Sequence, residues 1–180
     1  MMVAARYLLA LVLGFIALTS CSDKSLQKYL VEKQDDDKFV KMDIAASLLQ
    51  GRNSNFTQEE KDILKTLKKI NVVAYPIIEG DTADFVKEKN ELKTILGQAQ
   101  YKELTRIKSN DWNATLKYTG EEDAIDEVIV FASDDKRGFA VFRLLGENMR
   151  PDQMLKLMKS VESGDVDVSK LEGFGEIFKD

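Results

Sequence analysis

The chain has 180 residues, a formal net charge of −5, one cysteine and no histidine. A single cysteine closes no disulfide within the chain, and the lack of histidine removes Ser-His-Asp and Cys-His catalysis, histidine-ligated zinc and histidine-ligated haem. The acidic balance argues against a nucleic-acid footprint and against a polybasic grip on anionic lipid, which leaves carboxylates, lysines, tyrosines and backbone to carry any chemistry.

Residues 1–20 read as a signal peptide. Arg6 supplies the positive start, and Tyr7 to Leu18 is an apolar run broken only by Gly14. That run is shorter than the roughly twenty residues a membrane-spanning helix needs, and has the length of a signal-peptide core. Leu18-Thr19-Ser20-Cys21 resembles the lipobox of bacterial lipoproteins. The competing reading is a plain hydrophobic anchor with an incidental cysteine, but Cys21 stands alone in the chain, where polarity begins. The resemblance implies cleavage before Cys21, a diacylglyceryl thioether on its sulfur and N-acylation, the several acyl chains that stable anchoring requires. Ser22, where an aspartate would retain many enterobacterial lipoproteins in the inner membrane, points by analogy to the outer membrane. One acid among Ser22-Asp23-Lys24-Ser25 favours its periplasmic face over the cell surface. Removing Arg6's +1 from −5 leaves −6 on the remainder, and 180 − 20 = 160 residues suffice for one domain.

Residues 21–25 form a short tether, and 26–163 are expected to fold as one domain. Residues 25–33 suit a short helix with Leu26, Tyr29 and Leu30 inward. Asp35-Asp36-Asp37 breaks it, and Phe39 to Ile44 alternates like a strand. Ala45 to Gln50 looks helical up to Gly51. Thr57-Gln58-Glu59-Glu60 is a capping box opening a helix to about Lys69, with Ile63, Leu64 and Leu67 inward. Ile70 to Ile78 is a strand that Pro76 assigns to an edge or a bulge. A second helix covers about 82–97, carrying Phe85, Leu92, Ile95 and Leu96. Then Leu104–Ser109, Trp112–Thr119, Ile125–Ala132 and Gly138–Leu145 form an antiparallel meander with short polar turns. The last two are apolar on both faces and so central. Pro151 starts a closing helix with Met154, Leu155, Met158 and Val161 buried, and 164–180 is a Gly- and acid-rich tail. The fold class is α+β, a mostly antiparallel sheet with helices on one face.

Candidate sites are few. Asp35-Asp36-Asp37 lacks calcium-loop spacing and reads as a solvated turn, as do Glu121-Glu122-Asp123 and Asp134-Asp135. Arg143 interrupts an apolar strand and calls for a partner, for which Glu127 on the neighbouring strand is the candidate. Met149, Met154 and Met158 could line a pliable groove but suit core packing better. Trp112 and Tyr118, on one strand face, could stack on a ligand or pack under a helix. Asp81-Thr82-Ala83 resembles the O-glycosylation acceptor of Bacteroidetes, which makes Thr82 a candidate modification site. No catalytic residue, metal ligand or cofactor is assigned.

Several stretches carry a family resemblance: F-V-K-M-D-I-A-A-S-L-L at 39–49, I-N-V-V-A-Y at 70–75, Y-K-E-L-T-R-I at 101–107, and D-E-V-I-V-F followed by F-A-V-F-R-L-L-G-E-N-M. With the order of elements, these make the chain similar to the domain-of-unknown-function family 4252, small exported proteins of Bacteroidetes. The resemblance implies single-domain folding and an envelope setting; the family's activity is not established, so it carries over no functional residue. The expectation is a non-enzymatic lipoprotein, membrane-bound through Cys21, that binds an envelope protein or small ligand. The alternatives are a carboxylate-based hydrolase of envelope polymer, needing two acids about 5–10 Å apart, and a sensor or regulatory lipoprotein.

Overall fold

The computed structural model describes residues 23–47, 56–77, 82–109 and 112–162. Cys21, the 48–51 stretch, the tail from 164 and the side chains of Met158 and Val161 lie outside them. In chain order the elements are α1 (Leu26–Glu32), β1 (Val40–Ala45), α2 (Gln58–Thr66), β2 (Leu67–Pro76), α3 (Thr82–Leu96), β3 (Lys102–Lys108), β4 (Asn113–Glu121), β5 (Ala124–Asp134), β6 (Gly138–Met149) and α4 (Pro151–Glu162). The strands form one open antiparallel sheet in the order β1-β2-β6-β5-β4-β3. The domain is α+β, as the sequence predicts, with the 3-4-5-6 meander in place and β5 and β6 central.

Helix α2 begins as its sequence dictates. Thr57 Oγ1 accepts from the Glu60 N–H at 3.3 Å, and Glu60 returns a bond to the Thr57 N–H at 2.7 Å. It ends three residues before the expected Lys69, because Leu67 turns extended and pairs with Gly146 of β6. Strand β2 is also not an edge: it lies between β1 and β6. Pro76 is tolerated there because it is the last rung, opposite Gly138, and the next residue, Ile77, donates its N–H to Arg137 O at 2.9 Å. Gly138 has φ +125°, and a Cβ on it would run into the Tyr75 carbonyl; this close approach requires glycine.

The helices, expected on one face, occupy both. Adjacent residues of a strand point to opposite faces. Ile129 and Phe131 of β5 pack with Val73, Tyr75, Phe139 and Val141 under α1 and α3. Val128, next to Ile129, packs instead with Tyr118, Ile125 and Met149 under α2 and α4. The first core is aromatic. Tyr75 stacks on Phe139 at 5.5 Å, and Phe39 meets Tyr75 edge-on at 5.1 Å; each such pair adds about 1 kcal/mol beyond its buried area. The closing helix buries Met154 and Leu157, with Leu155 only partly covered.

Candidate functional site

Strand β6 carries Phe139, Val141 and Arg143 on one face, the face covered by α1 and α3. The two helices stop short of the β1 side of that face. What remains is a solvent-open cleft of about 390 Å³ walled by α1 (Gln27, Leu30, Val31) and by Gln34 in the turn after it, and floored by β1, β2 and β6. Val31 stands at its mouth, 54% exposed.

Register explains the floor. Asp43 lies opposite Asn71, and Asn71 opposite Arg143, so three polar side chains form one row across β1, β2 and β6. Arg143 forks onto Glu127 of β5, Nε to Oε1 at 2.7 Å and Nη2 to Oε2 at 3.2 Å, with both side chains only 12% exposed. Its remaining Nη1 donates to Gln27 Oε1, which ties the sheet to the first turn of α1. Asn71 donates to Asp43, and Lys69 pairs with the same carboxylate at 2.7 Å. The hydrogen bond from Lys69, against a smaller opposing effect of burial, holds the Asp43 carboxyl below the usual range. Lys41 Nζ donates to the carbonyls of Gln34 (3.0 Å) and Asp36 (2.9 Å), latching β1 to the turn after α1.

Chemically the cleft is a pre-set row of donors and acceptors. Among the described residues Asp43 is the one acid lining it, so the cleft holds no pair of carboxylates to share acid and base roles. Glu127 is occupied by Arg143. Among the described residues no cluster of three or more Asp, Glu, His or Cys is placed to hold a metal ion, and no helix is long and apolar enough to cross a membrane.

Of the residues singled out by sequence, Arg143 and Glu127 come together as expected. Thr82 is exposed at the first position of α3. Met149 and Met154 are buried in the α2/α4 core, and Tyr118 joins them. Trp112, 39% exposed, lies just before β4 rather than under a helix. Asp35 and Asp37 lie in the turns between α1 and β1, and Asp36 Oδ1 accepts the Lys38 N–H at 3.0 Å, while Asp134 Oδ1 accepts the Lys136 and Arg137 N–H groups of its own turn. The sequence reading missed Gln27, Asp43, Lys69 and Asn71. The alternation of Lys41 with Asp43, and of Lys69 with Asn71, placed polar residues on one face of two strands and was the available signal.

The model of the family described as Domain of unknown function (DUF4252) matches residues 29–157, a span that contains Asp43, Asn71, Glu127 and Arg143. No curated protein and no solved structure matches the chain.

Proposed function

This chain belongs to the DUF4252 family, and on that premise we propose that it is a lipid-anchored envelope protein without enzymatic activity. It is held to the membrane through Cys21 and binds an envelope protein or small ligand in the cleft beside α1. The observation that carries the binding role is the Asp43–Asn71–Arg143 row, which offers fixed hydrogen-bonding groups in an open cleft. Such a floor orients a ligand at little entropic cost, because its side chains are already held by one another. A hydrolase is less well supported, since the described lining of the cleft has one acid, Asp43, where a two-carboxylate mechanism needs a pair.

Two experiments test the reading. A photo-crosslinking side chain at position 31, at the cleft mouth, should capture a reproducible partner in native membranes, whereas one at exposed Lys136, in the β5–β6 turn, should not. Equal capture at both positions, or none at 31, removes the cleft as a site for a protein partner. For the anchor, Cys21→Ala or globomycin should leave unprocessed precursor, and normal processing of the variant refutes lipidation.

A further inference from the structure

We infer that the domain sits directly on the bilayer, with the end formed by Asp23–Ser25 and the turn from Gly97 to Tyr101 against the headgroups; this rests on the reading that Cys21 bears the lipid. The expected tether of residues 21–25 is in fact pinned to the fold from Lys24 onward. Lys24 Nζ pairs with Glu32 of α1 and Glu91 of α3. Its carbonyl accepts from Gln98 Nε2 at 2.9 Å. The buried N–H of Leu26 donates to Tyr101 Oη at 3.0 Å, and Ser25 caps α1. Three residues of extended chain reach at most about 11 Å, and a domain of this size has a radius of gyration of about 14 Å. A leash shorter than the domain's own radius does not let it tumble, so the pinned end must face the lipid.

The contact is imposed by covalent reach and does not depend on charge. The acidic turn Glu121–Asp123 belongs to the same end of the sheet, since Lys102, at the start of β3, pairs with Tyr118 and its Nζ reaches Gly120 O at 3.2 Å. Anionic headgroups therefore offer no net attraction there. The β5–β6 turn at Lys136 lies at the opposite end of the strands, about 30 Å away. The cleft begins beside the pinned end: Gln27, which holds Arg143, follows Leu26 directly. A ligand in it would lie close to the headgroup layer.

The test uses the full-length, lipidated protein in phosphatidylethanolamine–phosphatidylglycerol vesicles carrying a headgroup spin label. With Cys21 acylated, a single introduced thiol takes the fluorophore, at Gln100→Cys or at Lys136→Cys. Quenching should be several-fold stronger at 100 than at 136, unchanged by 0.5 M salt, and equalised by twenty Gly/Ser residues inserted after Ser22. Equal quenching at both positions in vesicle-bound protein without the insert overturns the seating while leaving the anchor intact. Protein that fails to bind vesicles, with Cys21 unmodified by mass spectrometry, overturns the anchor and the seating with it.

Discussion

At the scale of single residues, Arg143 decides the most. A guanidinium and a carboxylate taken largely out of water are stable only as a pair. Arg143→Met leaves Glu127 in that environment without its fork and should cost about 3 kcal/mol in urea unfolding. The double variant Arg143→Met/Glu127→Leu removes the orphaned charge and should recover most of that loss. A single variant with an unchanged midpoint would count against the pairing, with Glu127 solvated well enough to stand without Arg143. The need for a partner was legible in F-A-V-F-R-L-L, where one charge interrupts an apolar strand. The surroundings of Arg143 were not: Gln27 lies 116 positions away, and Asn71 and Asp43 reach the row through pairings that no local pattern specifies.

At the scale of elements, α1 is the informative case. Seven residues are too few to form a stable helix alone, so α1 exists through what it packs on. Leu26 and Tyr29 are fully buried, and Tyr29 Oη donates to Glu88 of α3 at 2.8 Å while Lys33 pairs with the same carboxylate at 2.6 Å. Burial, then Glu88, pushes the Tyr29 hydroxyl far above its ordinary 10.0. The sign follows: the unfolded chain releases this proton first, so the contribution is complete below pH 10 and is lost as pH rises further. Urea midpoints should therefore fall above pH 10, and Tyr29→Phe should flatten that alkaline fall while costing about 1 kcal/mol at pH 7. An alkaline limb identical in the variant would count against the Tyr29–Glu88 bond. Helix α1 was legible from Leu26, Tyr29 and Leu30. The end of α2 was not, because Leu67 continues the helical stripe of Ile63 and Leu64, and pairing with β6 overrides it.

At the scale of the molecule, the sheet has two covered faces, and the sequence held that clue. Strands apolar on both sides, as β5 and β6 are, need cover on both sides; assigning all helices to one face contradicted the central placement inferred for those strands. Outside the two packed cores, acids and lysines are matched at the surface. Lys24 holds Glu32 below the usual carboxylate range, Lys65 does the same for Asp62, Lys89 for Asp135 and Lys69 for Asp43. A carboxyl held low in the folded state gives stability that is present above its ordinary value, 3.8 for aspartate and 4.5 for glutamate, and lost as pH falls through the folded value. These groups are exposed, so each contributes little and salt screens it. The urea midpoint should thus be flat from neutrality to about pH 4.5, decline gradually below that in low salt, and decline less in 0.5 M salt. Because the acid response is spread over at least these four pairs, Asp43→Asn alone should scarcely change its shape. A single steep step that survives high salt, and disappears in Asp43→Asn, would instead mark Asp43 as one functionally tuned carboxylate in the cleft and favour the hydrolase.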